Sequence, residues 1–202
     1  MRLILLRHGE TDWNKESRIQ GAQSVPINRT GIEQVRRACI SMKAMYGARI
    51  SAIVASPLLR AKQSADICGK ILGLQPVVVH SFRERSFGDL EGKTKHVIQT
   101  EFHIDDVESL PEPHFQVEAR EAFINRLTSG LEYICMNVYS GPVLLVTHGS
   151  VIRELTKMAG HDIGIIPNAG FVEHDVSVTK GHCHDAHPAF SLRYVDRPSG
   201  GT

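Results

Sequence analysis

Apolar residues recur along the chain with two alternating periods. RLILL (2–6), ISAIVAS (50–56), PVVV (76–79) and VLLVT (143–147) have the length and composition of buried strands. Between these runs the apolar positions step by three and four. Ile32, Val35, Cys39, Met42 and Tyr46 form one helical stripe, and Leu58, Ala61, Ala65, Cys68 and Leu72 a second. Ala119, Phe123, Leu127, Leu131, Ile134 and Val138 mark a third over 118–139. Val151, Ile152, Leu155 and Met158 mark a fourth that opens at His148-Gly149. The punctuation agrees with the periods. Thr30 with Glu33 reads as a capping box, Ser56-Pro57 as N-cap and first helical residue, and Gly73, Gly141-Pro142 and Gly160 as stops. FVEHDVSV (171–178) and FSLRYV (190–195) read as closing strands, antiparallel at the sheet edge.

Strands alternating with helices predict an α/β three-layer sandwich. Its central sheet is mostly parallel with an antiparallel edge strand, and helices cover both faces. The reading is one domain over 1–202, with 93–117 as a small cap-like excursion and 197–202 as a loose tail. No internal repeat or low-complexity tract interrupts it.

Composition removes several function classes. Twenty-three lysines and arginines against 22 acidic residues give a net charge of +1. No global field therefore draws the chain to nucleic acid or to an anionic membrane, and any anion site has to be built locally. Only four apolar residues separate Arg2 from Arg7, too few for a signal peptide or a bilayer span, so a cytoplasmic protein is expected. Cys39, Cys68, Cys135 and Cys183 are too widely spaced for a disulfide framework or a metal clip. They are expected to be reduced, the first three as small buried hydrophobes.

The chemistry collects where strands end. The first ends in Arg7-His8-Gly9, the second runs into Ser56 and then Arg60, and the third is followed by Arg83, Glu84 and Arg85. The strand at 143–147 ends in His148-Gly149 at a predicted helix start. In open α/β sheets ligands bind at the carboxyl ends of strands, so these groups converge on one edge. Arginine forks and free N–H groups at helix N-termini suit a phosphate. A histidine among them can attack phosphorus if one ring nitrogen is unprotonated and the other keeps its proton on a backbone carbonyl. Gly9 lets the backbone fold close around such an imidazole.

With these residues in place, LRHGETDWN (6–14), RIQG (18–21), ASPLLRAKQSA (55–65), RERSFGDLEG (83–92) and VTHG (146–149) resemble, in order, the signature segments of the histidine phosphatase superfamily, the phosphoglycerate mutase-like family. The resemblance implies that His8 is a nucleophile forming a phosphohistidine, and that Arg7, Arg60 and His148 bind the phosphoryl oxygens with Asn14 assisting. It further implies that Glu84 protonates the leaving oxygen and then helps activate water, a protonation that burial or phosphate proximity would favour. Gln20 is placed at the pocket rim, and Gly149 lends its backbone N–H. The implied protein is a metal-independent phosphomonoester phosphatase acting on a small phosphorylated metabolite, with no cofactor. Its oligomeric state is left open, a homodimer included.

Departures from the family pattern refine this. Leu90 stands where the family's FG-x-W-E-G has tryptophan, and AQSVPIN (22–28) replaces a frequent aspartate pattern. Glycolytic mutases of the family carry a longer, basic insertion and a C-terminal tail, whereas the stretch here is short and acidic (EFHIDDVESLPEPH, 101–114). That favours a phosphatase over the first alternative, a bisphosphoglycerate-dependent mutase; the second, a non-catalytic phospholigand-binding protein, is expected to have lost a core residue, and none is lost here. The run GHCHDAHP (181–188), with His182, His184 and His187, has metal-ligating residue types but reads as a solvated turn. Glu10 is read as a structural partner of the arginines, and Trp13 as packing.

Overall fold

The computed structural model describes residues 1–107, 110, 114–137, 141–179 and 189–195. Strand β1 (Arg2–Arg7) leads through the one-turn helix α1 (Asp12–Lys15) to α2 (Arg29–Tyr46) and β2 (Ala52–Ala55). Then come α3 (Leu59–Leu72), β3 (Pro76–Val78), α4 (Lys95–Phe102) and α5 (Arg120–Met136). The chain continues through β4 (Val143–Thr147), α6 (Gly149–Met158), β5 (Phe171–Thr179) and β6 (Ala189–Val195). Six strands form one sheet in the order β3-β2-β4-β1-β5-β6. β1 to β4 are parallel, β5 is antiparallel to β1, and β6 is antiparallel to β5. The fold is the expected α/β one, with its antiparallel strands at one edge.

The sheet is apolar on both sides because both sides are covered. Leu3, Leu5, Val54, Val143 and Leu145 pack with Phe123, Leu127 and Leu131 of α5 and with Val151, Ile152 and Leu155 of α6. Ile4, Leu6, Ile53, Ala55, Leu144 and Val146 pack with Val35, Cys39 and Met42 of α2 and with Ala61, Ala65 and Cys68 of α3. Each large side chain buried this way stabilises the fold by roughly 1.5–3 kcal/mol. A smaller cluster of Ile19, Phe87, Leu90, Ile98 and Val117 supports the stretch around α4.

Local signals were overridden where tertiary contacts competed. Helix α2 is capped by Asn28 in place of Thr30. Its side-chain oxygen accepts from the Gly31 N–H at 2.8 Å, while its own backbone N–H donates to the Glu10 carbonyl at 2.8 Å. Gly31 then faces inward and Ile32 is left exposed. Helix α3 starts at Leu59 without a side-chain cap, later than Ser56-Pro57 suggests, and the Ser56 hydroxyl meets His148. On α6, Met158 turns outward, and Glu154 and Thr156 are buried with the apolar stripe. The expectation of reduced cysteines fails at one pair. The facing stripes of α2 and α3 bring Cys39 and Cys68 together as a disulfide, with Cα atoms 5.6 Å apart.

Cys135 is free. Val138, Cys183, the GHCHDAHP run and the tail at 197–202 lie outside the described residues. Among the described residues no helix is long and apolar enough to cross a membrane.

Candidate active site

Register brings the strand-end residues together. β1 and β4 pair with Arg7 opposite Thr147, and β2 pairs with β4 with Ala55 opposite Val146. The next residues, His8, His148 and Ser56, are therefore neighbours at the carboxyl edge of the sheet, where α/β folds place ligands.

His8 is 3% exposed. Its Nδ1 lies 2.7 Å from the carbonyl oxygen of Gly9, and its Nε2 lies 3.2 Å from Nε of Arg60. A carbonyl can only accept and a guanidinium can only donate, so the proton sits on Nδ1 and Nε2 keeps its lone pair. Burial, then Arg60, then Arg7 hold the imidazole well below its ordinary titration range, leaving it neutral. The turn beneath it is tight. A Cβ on Gly9 would stand 2.5 Å from the Gly31 carbonyl oxygen, so glycine is required where this loop crosses α2.

Arg60, in the first turn of α3, is 1% exposed. Its other donors reach the carbonyls of Gln23 and Gly21, each at 2.7 Å. None of these partners is an anion. Burial is only partly offset by Glu84 and Glu91, and the guanidinium is drawn down to about 10, still cationic at neutral pH. Arg7 donates to the Ile166 carbonyl at 2.5 Å, and burial likewise lowers it.

His148 is fully buried at the cap of α6, its ring centroid 5.3 Å from that of His8. Its Nε2 meets the Ser56 hydroxyl at 2.6 Å, and that hydroxyl also accepts from the Leu58 N–H at 3.3 Å. The hydroxyl is free to donate its one proton to Nε2, and in that tautomer His148 carries its own proton on Nδ1. Glu84 is buried, and one carboxylate oxygen accepts from the Arg85 N–H at 3.0 Å. The other accepts from the Ser150 N–H at 3.4 Å, in the positive first turn of α6. Its neighbours turn elsewhere: Arg83 pairs with Glu118 at 3.3 Å, and Nε of Arg85 donates to the Glu118 carbonyl at 2.9 Å.

These groups open on a cavity of about 600 Å³ lined by Arg7, His8, Asn14, Gln20, Arg60, Glu84 and Gly149, among others. His148 stands behind the wall and is not part of it. Five buried side-chain polar atoms lack a partner among the described residues, and three of them belong to this site: Arg7 Nε, Gln20 Oε1 and His148 Nδ1. Unpaired buried groups are costly, and a polar ligand in the cavity is one way to complete those of Arg7 and Gln20, which line it. The Asn14 carboxamide oxygen is occupied by the Thr11 N–H and by Asn168 Nδ2, each at 3.1 Å, which leaves its N–H groups for a ligand. The outer wall mixes signs, with Arg18, Lys95 and Arg153 beside Asp105 and Asp106.

All eight sequence-predicted site residues come together here, seven on the wall and His148 behind it. Glu10 does not partner the arginines; it accepts from Asn28 Nδ2 at 2.9 Å and so braces the α2 cap. Trp13 stands half-buried beside Gly92 and off the cavity wall.

Sequence reasoning missed the supports. Arg126 of α5 donates to the carbonyls of Ser81 and Arg83 at 2.7 Å and of Glu84 at 3.0 Å, and it pairs with Glu118 at 2.7 Å. Ser56 fixes the His148 ring. Asn168 Nδ2, besides holding Asn14, reaches the His8 carbonyl at 3.2 Å.

Residues 3–194 match the profile of the histidine phosphatase superfamily, branch 1. The chain belongs to that superfamily. Over 161 residues it is 35% identical to the uncharacterized phosphatase PhoE of Bacillus subtilis (strain 168), a match covering 79% of this chain and 78% of that protein. It is 29% identical over 162 residues to the metal-independent phosphoserine phosphatase of Arabidopsis thaliana, covering 76% and 66% of the two chains. Among solved structures it is similar to mycobacterial glucosyl-3-phosphoglycerate phosphatase in complex with VO3. There the TM-score is 0.80 and the identity 25%, over 96% of each chain. Its relatives also include phosphoglycerate mutase-like protein 4 of Arabidopsis thaliana (29% identical, 78% of this chain and 70% of that protein).

Proposed function

We propose that the protein is a metal-independent phosphomonoester phosphatase that works through a phosphohistidine on His8 and acts on a small phosphorylated metabolite. The observation that carries this reading is the state of the His8 ring. Its Nδ1 proton is held on the Gly9 carbonyl while the Nε2 lone pair faces the cavity side beside Arg60.

A phosphoryl group entering the site displaces the bond between Arg60 and His8. The Nε–H of Arg60, held in place, then donates to a phosphoryl oxygen instead of to the nitrogen. Arg7 Nε and His148 Nδ1–H, both unpaired, supply further donors. Nε2 of His8 attacks phosphorus as the ester P–O bond breaks, and protonated Glu84 gives its proton to the departing oxygen. Water then attacks the phosphohistidine, its proton passes to the Glu84 carboxylate, and the P–N bond breaks to release inorganic phosphate. The enzyme returns to its starting charge. Phosphoryl transfer calls mainly for positioning and charge stabilisation, and two arginines supply the positive charge here. The covalent intermediate divides one difficult displacement into two easier ones. The relatives support the same reading: one is named a metal-independent phosphatase, and another was solved with VO3.

The test is hydrolysis of p-nitrophenyl phosphate by the wild-type protein and by His8→Ala, with and without a chelator. Turnover that is insensitive to chelation and lost in the variant supports the proposal. Turnover surviving in the variant removes His8 from its role, and loss on chelation removes the metal-free mechanism.

A further inference from the structure

We propose that Glu91 is a positioning residue of the oxyanion site, acting through the 20–23 turn to hold the Arg60 guanidinium in place. The inference rests on the phosphatase reading above and concerns a residue that does not line the cavity.

One Glu91 carboxylate oxygen accepts from the backbone N–H groups of Ala22 and Phe87, each at 2.9 Å, and from the Ser86 hydroxyl at 3.2 Å. The other accepts from the Gln23 side-chain amide at 2.9 Å. Glu91 thereby staples the 20–23 turn to the 86–91 turn. Hydrogen bonds of this kind, with an ionised acceptor, are about twice as strong as neutral ones.

The stapled turn is what Arg60 holds. Gly21 and Gln23, on either side of Ala22, give their carbonyls to its two terminal nitrogens at 2.7 Å each. With both ends fixed, the remaining Nε–H is directed at His8 Nε2. The turn is shaped around the carboxylate, since Gly21 has φ +48° and a Cβ there would lie 2.0 Å from Glu91 Oε1. Gln20, whose buried carboxamide oxygen is unpaired, belongs to the same turn. Two functional groups therefore depend on one carboxylate that touches neither.

The experiment compares Glu91→Ala, Glu91→Asp and Glu91→Gln with wild type. It measures inorganic vanadate binding by calorimetry, kcat and KM for p-nitrophenyl phosphate, and thermal unfolding. Glu91→Ala is expected to weaken vanadate binding at least about tenfold and to lower kcat/KM on the order of 100-fold, the scale of a misplacement of about 1 Å. Glu91→Gln keeps an oxygen for the two backbone N–H groups and is expected to stay within about threefold of wild type. Glu91→Asp keeps the charge but is too short to span both turns, and should lose activity. If Glu91→Ala does not fold, the order of the Gln and Asp variants decides: Gln above Asp supports positioning, and Asp above Gln overturns it. A folded Glu91→Ala protein with unchanged vanadate affinity and unchanged KM and kcat also overturns it, whatever its melting temperature. Absence of vanadate binding in the wild-type protein would take down the phosphatase reading and this inference together.

Discussion

Arg60 donates its Nε–H to Nε2 of His8 at 3.2 Å, two buried groups meeting at the floor of the cavity. The contact keeps the nitrogen unprotonated and places a fixed positive charge where an oxyanion would arrive. Lysine cannot reproduce it, because an ammonium cannot reach two carbonyls and an imidazole in one plane. Arg60→Lys is expected to lower kcat for p-nitrophenyl phosphate by a factor on the order of 10²–10³, the range for losing one oxyanion donor. Activity within about threefold of wild type, on the scale of those factors, would mean that Arg60 is not aimed at the transition state.

Gly9 is the steric counterpart of that contact. A methyl group there would meet the Gly31 carbonyl oxygen at 2.5 Å, backbone against backbone, with no flexible side chain to yield. Gly9→Ala should destabilise the fold by about 1–3 kcal/mol. It should also lower kcat, because the Gly9 carbonyl holds the His8 proton. Chemical denaturation and kinetics on one preparation check both; an unchanged midpoint contradicts the packing account.

Arg126 offers a second test remote from the chemistry. Arg126 and Glu118 are each 11% exposed at the side chain, and the arginine gathers three carbonyls of the loop that carries Glu84. Removing one member of a buried pair costs about 3–5 kcal/mol, so Arg126→Ala should lose stability on that scale. The surviving folded fraction should turn over more slowly with little change in vanadate affinity, since the loop carries the proton donor and not the oxyanion groups. Parallel losses in both parameters would assign Arg126 to structure alone.

Three buried histidines contribute to the loss of stability in acid. His8, His148 and His174 are held below their ordinary range chiefly by burial, His174 to about 4. Unfolded histidines titrate near 6.5, so between that pH and the folded values the unfolded chain binds more protons. The histidine contribution is therefore full above about pH 7 and is lost as pH drops below about 6.5, that of His174 by about 4. His174 is fully buried, and neither ring nitrogen has a partner among the described residues, so His174→Phe should remove about one proton from the slope. Denaturation midpoints measured between those limits check this, and an unaltered slope would contradict it.

The two chemistries of the chain were unequally legible. Arg7-His8, Arg60, Glu84 and His148-Gly149 could be read because each stands beside a run whose strand or helix period is unmistakable, and parallel α/β topology brings strand ends together. Arg126 and Glu118 carry no such signal. They sit in or beside a helix and reach residues more than thirty positions away, and their backbone partners, carbonyls for Arg126 and the Ser86 N–H for Glu118, are groups that every sequence possesses. Glu91 is similar, since its partners are two turns joined only in three dimensions. Asn28 and Thr30 are both competent caps, and the close crossing of Gly9 and Gly31 chooses between them. Cys39 and Cys68 lie on separate helical stripes, and spacing alone could not show that the stripes face each other.

The central claim is a covalent bond between phosphorus and His8. Wild-type protein mixed with a ³²P-labelled phosphomonoester and quenched within milliseconds should retain protein-bound label that is stable in base and released by acid. His8→Ala should retain none. Base-stable, acid-labile label persisting in His8→Ala, or its absence from wild-type protein that is turning over and quenched at every time sampled, would contradict the account.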